Sequence, residues 1–349
     1  MKILIVSDGI WDIYAESFFN GFKVLNYDIY KFYWKKYFEY NSMSSRIQDK
    51  LIFGPIIFKI NKDLIRECKT IKPDLVFIYR GTHIHKSTIE QLKLVSNCKV
   101  YGYNNDDPFS LKHSKYSWRY FVRSIPSYDH IFAYRTKNIE DFNKIKYHNV
   151  SILRSYYRRE HNYNILNLDI TKYKCDVIFI GHFEDDGRDD VIKLLIDNNI
   201  DVTLYGSGWN KSKHYNYLIK YLKRDIENLY NEQYNLALNS AKIALVFLSK
   251  LNNDTYTRRC FEIPATKTMM LSEYTDDLNS MFQKGVDAEY FKDKGEILKK
   301  IKYYLEDNTK IENIGGNGFD RLMRDGHEVV DRCKQVIEVY NSYKCSNKY

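Results

Sequence analysis

The chain has 349 residues, 44% hydrophobic and 28% charged, a composition that excludes a disordered or fibrous protein and is long enough for two globular domains. Fifty-four Lys and Arg against 45 Asp and Glu give a formal charge of +9, spread along the chain. That spread argues against a nucleic-acid-binding arm and leaves anionic substrates or an acidic membrane surface as partners.

The first predicted element is an apolar run over 2–7 that ends in Asp8-Gly9, the pattern of a central parallel strand followed by a tight turn. Residues 11–25 have helical spacing, and 27–34 alternate as a second strand. Helices are predicted over 46–53 and 55–71, the latter opening on a proline. A buried strand over 75–79 ends in Arg80-Gly81. A helix over 86–96 leads to a strand over 99–103, which ends in Asn104-Asn105-Asp106-Asp107-Pro108. The spacing predicts a helix over 113–124, a strand over 130–134 ending in Arg135, a helix from Thr136 to Lys146, and a strand over 149–153. Strand and helix alternate throughout, so the first half reads as doubly wound α/β.

Residues 156–173 are polar and lack periodicity, and read as a linker. The pattern then restarts. A strand over 175–180 ends in Gly181-His182, a helix covers 189–198, and a strand over 201–205 ends in Gly206-Ser207-Gly208-Trp209. Residues 215–223 are ambiguous. A helix over 231–240 and a strand over 243–249 precede a polar turn. A short helix through Phe261 and Ala265, a buried strand, a short strand over 288–291 and closing helices over 294–307, 309–323 and 327–343 complete the chain. In open parallel sheets ligands bind outside the carboxyl ends of the strands. The polar punctuation lies at those ends in both halves, and two such halves facing each other would form one cleft.

Six cysteines (68, 98, 175, 260, 333 and 345) show no CxxC pairing, which speaks against a zinc ribbon or disulfide framework and for a reducing compartment. The opening MKILIVSDG lacks a signal-peptide core. No run approaches the roughly 18 apolar residues of a spanning helix. The expected setting is cytoplasmic, with room for peripheral contact at the inner face of the membrane.

The stretch 254–277 carries the sharpest chemistry. Thr255 and Thr257 are candidate caps for the helix through Phe261. Arg258 and Arg259 in its first turn oppose the macrodipole, a misfit explained if an anion such as a diphosphate sits there. Glu262, about one turn beyond Arg258, places a carboxylate near the same end, able to accept from two ribose hydroxyls. The competing reading makes Arg258 and Arg259 solvated surface charges and Glu262 their intrahelical partner. Gly181 and His182 open a loop whose glycine lets backbone approach a ligand, and Arg188 is a candidate phosphate clamp; an ordinary capped βα loop explains the same residues. Gly206 and Trp209 form either a wall for a base or a tight turn with a core Trp. Asp106 and Asp107 suit a metal, a base or sugar hydroxyls, or a capped loop. His83 and His85 have no third ligand nearby, and GxxxxGK[ST], GxGxxG and GxSxG are all absent.

The order of these motifs resembles a known family. Lys72-Pro-Asp-Leu-Val-Phe-Ile, Tyr103-Asn-Asn-Asp-Asp-Pro108, Asp176-Val-Ile-Phe-Ile-Gly-His, Val202-Thr-Leu-Tyr-Gly-Ser-Gly-Trp, Arg259-Cys-Phe-Glu262-Ile-Pro-Ala and Ser272-Glu-Tyr-Thr-Asp-Asp-Leu278 look like the GT4-like glycosyltransferases related to the spore maturation protein CgeB. The resemblance spans about residues 70–340. It implies a GT-B fold of two Rossmann-like domains across a cleft: an acceptor-binding domain over 1–160, a donor-binding domain over 161–325, and a C-terminal helix over 326–349 packing back on the first domain. It implies a nucleotide-sugar donor (UDP- or GDP-sugar) and a glycan, glycolipid or protein acceptor, with retention of configuration and no metal or other cofactor. Glu262 would fill the ribose-binding position of an E-x7-E pattern whose first acid falls on Asp254, a departure from Glu. Thr257 and Arg258 would lie at the diphosphate, with Arg188 as the clamp. The donor set is Gly181, His182, Arg188, Gly206, Trp209, Asp254, Thr257, Arg258 and Glu262; the acceptor set is Asp8, Gly9, Arg80 and Asp106; the catalytic set is Asp106, Asp107 and Arg258. Two alternatives stand beside it. One is a metal-dependent GT-A-type transferase with Mn²⁺ on Asp106 and Asp107. The other is a nucleotide- or sugar-binding protein without catalysis.

Overall fold

The computed structural model describes residues 1–10, 12–39, 41–112, 116–166 and 172–346. The chain divides into two compact units. One comprises Met1–Ser155 and Val329–Tyr349, the other Tyr156–Glu328.

The first unit is built on six strands: β1 (Lys2–Ser7), β2 (Asp28–Tyr33), β3 (Leu75–Tyr79), β4 (Lys99–Asn104), β5 (His130–Ala133) and β6 (Val150–Ile152). All pair in parallel, in the order β2-β1-β3-β4-β5-β6. Apolar side chains on successive residues place β1 and β3 in the middle, covered on both faces. β2, more polar and more exposed, lies at the edge. The closing helix Val329–Ser346 packs on the helix Ser17–Val24. A Cβ on Gly21 would come within 2.6 Å of the Cys333 sulfur, so that contact needs a glycine.

The second unit carries β7 (Cys175–Ile180), β8 (Val202–Tyr205), β9 (Ala241–Val246), β10 (Met269–Glu273) and β11 (Glu289–Phe291). They form a parallel sheet in the order β11-β10-β9-β7-β8. Its core joins Val177, Phe179, Ile192, Leu204, Leu245 and Leu271.

Sequence periodicity and structure agree to the residue for β1, β3 and β7 and for the helices Pro55–Ile71 and Lys86–Ser96. The differences have local causes. The helix expected from residue 46 starts earlier, at Met43, because the Ser42 hydroxyl caps it by accepting from the Ser45 amide. Of the helix expected over 113–124 only Arg119–Ser124 forms, and 113–115 lie outside the described residues, as does Trp11. The expected linker is in part folded into the second unit: Tyr156, Tyr157 and Arg158 are buried. Beyond them the Tyr163 and Ile165 amides donate to the side chains of Asn235 and Asn239. Irregular backbone satisfied by side-chain amides leaves no period to read. Cysteines 68, 98, 175, 260 and 333 are buried. Among the described residues no helix is long and apolar enough to cross a membrane.

Candidate functional site

In the second unit the loops that follow β7, β8 and β9 are tied together. Gly206, at φ 134°, passes so close to β7 that a Cβ there would lie 2.0 Å from the Gly181 carbonyl oxygen. That carbonyl accepts from the Trp209 indole at 2.9 Å. Trp209 is buried against Phe179 and Phe183. It braces the Gly181 turn and does not present a wall to a base, which corrects that expectation. The Glu184 carboxylate bridges the β7 and β9 loops, accepting from His182 at 2.9 Å and from the Ser249 hydroxyl at 3.2 Å. Burial opposes its ionisation, but the His182 hydrogen bond and the Arg188 charge hold the carboxyl below its ordinary value.

Arg188 is likewise corrected. Its side chain is 1% exposed and makes a two-pronged pair with Asp186, Nε to Oδ1 at 2.8 Å and Nη2 to Oδ2 at 2.6 Å. Its remaining nitrogen donates to the His182 carbonyl at 2.7 Å. A guanidinium committed this way holds its own loop and is not a free phosphate clamp.

Other arginines lie nearby. The helix Arg259–Ala265 is short, and neither Thr255 nor Thr257 caps it: the Thr255 hydroxyl donates to Asp277 at 2.6 Å. Arg258 pairs with Glu262 at 2.7 Å, and the Tyr234 hydroxyl donates to the other carboxylate oxygen at 2.8 Å. The intrahelical pairing is therefore real, and it is largely withdrawn from solvent: the Glu262 side chain is 4% exposed and that of Arg258 27%. Burial, with the adjacent carboxylate, pushes the Tyr234 phenol well above its ordinary range, keeping it a donor. Arg259 lies against the end of β7, where a Cβ on Gly181 would meet its Nη1 at 3.3 Å. Arg158, from the segment expected to be a linker, is the third cation. Its burial and the charge of Arg258 push its guanidinium below its ordinary value, with Glu262 opposing.

This unit thus brings Arg158 and Arg258 to the Glu262 carboxylate, with Arg259 acting on the Tyr234 phenol that bonds it. The Nε atoms of Arg158 and Arg259 and the Thr257 hydroxyl are buried without a hydrogen-bond partner among the described residues. Buried donors of this kind cost stability unless something accepts from them. Asp254 sits half-buried on the loop before this helix, its amide donating to the Ser249 carbonyl. The sequence reading missed Arg158 and Tyr234. The Arg158-Arg159 pair inside a stretch otherwise lacking pattern was the available signal for the first; nothing in the 231–240 spacing singled out the second.

In the first unit, a cavity of about 280 Å³ opens at the carboxyl ends of β1, β2 and β3. Asp8, Trp34, Lys35, Arg80, Thr82 and Trp118 are among its lining residues. Arg80 holds a left-handed backbone, φ 69°, which is strained for a side-chain-bearing residue and typical of functional turns. Its guanidinium bonds Asp106 at 2.9 Å, reaches Asp8 at 3.8 Å and lies over the Trp118 ring. Lys35 pairs with Asp49 at 2.7 Å, and His83 is 3.4 Å from the same carboxylate. Burial pulls the His83 imidazole down, so it stays neutral. The buried Trp34 indole N–H has no partner among the described residues.

Of the expected acceptor residues, Asp8 and Arg80 line this cavity, while Gly9 shapes the turn and Asp106 orients Arg80 from outside the lining. Asp107 is corrected: it is fully buried, its carboxylate accepting from the Phe109 amide at 3.0 Å and the Asn138 side chain at 2.9 Å. It is a structural turn residue, and the Asp106-Asp107 pair does not present two carboxylates to one ion.

Residues 188–338 match a family model described as glycosyl transferase-like. No curated protein matches the chain. Solved structures match along nearly its whole length. Sucrose-phosphate synthase from Thermosynechococcus elongatus superposes with a TM-score of 0.70 at 11% identity, covering 99% of this chain and 100% of that one. Anabaena Alr3699/HepE in complex with UDP-glucose gives 0.68 at 13% identity, covering 98% and 100%. A glycosyltransferase from Rickettsia africae gives 0.67 at 12% identity, covering 98% of each. The fold is the GT-B architecture, with one Rossmann-like parallel sheet in each unit.

Proposed function

We propose that the protein is a nucleotide-sugar-dependent glycosyltransferase that uses a UDP-sugar donor. The observation that carries this reading is the group of Arg158, Arg258 and Arg259 near Glu262 and Tyr234, in which the buried Nε atoms of Arg158 and Arg259 and the Thr257 hydroxyl have no hydrogen-bond partner among the described residues. Guanidinium groups in a desolvated site favour a phosphorylated ligand, and their charge opposes the build-up of negative charge on the departing diphosphate. Glu262, held by Tyr234 and Arg258, has lone pairs left for ribose hydroxyls. UDP is the favoured carrier because HepE, which shares the fold, is solved with UDP-glucose.

The acceptor is a hydroxyl of a glycan, glycolipid or protein, and the cavity of the first unit is its proposed site. Trp34 and Trp118 offer faces and an indole donor to a sugar ring, and Arg80 with Asp8 offers hydrogen bonds to hydroxyls. Transfer retains anomeric configuration, needs no metal and takes place in the cytoplasm; the protein groups with the CgeB-related enzymes. A donor screen read by mass spectrometry tests the reading. A UDP-sugar is consumed, UDP is released, and EDTA leaves the rate unchanged. UDP binding without turnover on any acceptor would instead support a non-catalytic binding protein.

A further inference from the structure

The helix Met43–Leu51 is turned inside out. Met43, Ile47 and Leu51 recur every fourth residue on one face. They are 75%, 50% and 50% exposed. The face that meets the protein is polar, and its contacts lock the helix in that orientation. The Ser45 hydroxyl accepts from the Glu39 amide at 2.9 Å, Gln48 accepts from the Ile56 amide at 2.9 Å, and Asp49 pairs with Lys35. The apolar stripe continues past the helix into Phe53 and Phe58, also exposed, whose rings meet at 6.4 Å. Arg119 secures the junction by donating to the Leu51 and Ile52 carbonyls at 2.7 and 2.8 Å.

Charge identifies the occupant. Residues 35–62 carry six cations against two carboxylates, and one of the two, Asp49, is already paired with Lys35. Arg46 and Lys50 are exposed on the same helix as the apolar stripe. An apolar stripe flanked by cations at the same level suits a bilayer interface, where side chains enter the acyl boundary and cations meet anionic headgroups. A protein-binding patch is typically depleted in lysine.

We infer that the face formed by Met43, Ile47, Leu51, Phe53 and Phe58 docks this protein on an anionic lipid bilayer. Ile52, which follows this helix, lines the cavity of the first unit, so docking brings the cavity close to the headgroups and favours a lipid-borne acceptor. The docking itself does not depend on the proposed transfer reaction.

The test is co-sedimentation of the full chain with vesicles of phosphatidylcholine alone or doped with phosphatidylglycerol. Wild type is expected to sediment with the doped vesicles only, and added salt releases it. The triple variant Ile47→Ser, Leu51→Ser, Phe53→Ser lowers partitioning at least about tenfold. The pair Arg46→Glu, Lys50→Glu abolishes the preference for phosphatidylglycerol. All five positions are exposed, and an unchanged thermal transition confirms that the variants fold. The inference is overturned if wild type stays in the supernatant or if the triple variant binds like wild type. It is equally overturned if light scattering shows a dimer that the triple variant dissolves, because the face would then join two copies of the chain.

Discussion

The two units are built alike and charged differently. Each sets polar loops at the carboxyl ends of a parallel sheet. In the first unit every charge at the cavity is offset: Arg80 by Asp8 and Asp106, Lys35 by Asp49, with His83 kept neutral. In the second, Arg258 pairs with Glu262, Arg158 lies near both, and Arg259 acts with Arg258 on the Tyr234 phenol that bonds the same carboxylate. An offset site suits a neutral, hydroxyl-rich ligand, and clustered cations with unsatisfied buried donors suit a phosphorylated one. The difference between units of like topology shows that charge placement at strand ends varies independently of the fold, and the proposed division of ligands rests on it.

The largest effect tests the second unit. Arg258→Ala removes the ion-pair partner of the buried Glu262 carboxylate and leaves it the Tyr234 hydrogen bond. We expect a loss of about 3 kcal/mol of stability by denaturant titration, together with loss of UDP binding. Arg259→Gln leaves the fold intact and weakens UDP by roughly thirtyfold, about 2 kcal/mol, with little change in acceptor KM.

The next prediction separates the units by acid. Burial pulls the His130 imidazole in the first unit down to about 4 from its ordinary 6.5. The folded state therefore favours the neutral ring, whose stabilisation is complete above pH 6.5 and is lost as pH falls toward 4. The loss is on the order of 2 kcal/mol after discounting for residual solvent. Amides of β5 and β6 should lose hydrogen-exchange protection before those of β7 and β9, and His130→Gln should flatten that dependence. Smaller still, Arg80→Gln should lower kcat/KM for the acceptor about tenfold while leaving UDP affinity unchanged. A parallel fall in UDP affinity would break the division of labour between the units.

Much of the fold was legible. The apolar runs of β1, β3 and β7 and the helix Pro55–Ile71 carry their periods openly, and Glu262 stood out beside two arginines in a first turn. What stayed hidden depends on partners distant in sequence. Arg188 looked like a clamp until Asp186 and the His182 carbonyl were seen to consume it. Asp107 looked like Asp106, but Asn138, thirty-one residues on, makes it structural. Arg158 lay in a stretch without period, and only the folded chain shows that it is buried beside Arg258 and Glu262. The Met43–Leu51 helix has an ordinary amphipathic pattern; which face turns outward is decided by the contacts of Ser45, Gln48 and Asp49.

The most direct measurement is calorimetric titration of the full chain with UDP and with uridine, for wild type and for the Arg158→Met, Arg259→Met double variant. Wild type should bind UDP at least about a hundredfold more tightly than uridine, and the double variant should lose most of that margin while still binding uridine. A double variant that holds UDP as tightly as wild type would contradict the account, because the diphosphate would then rest on other residues.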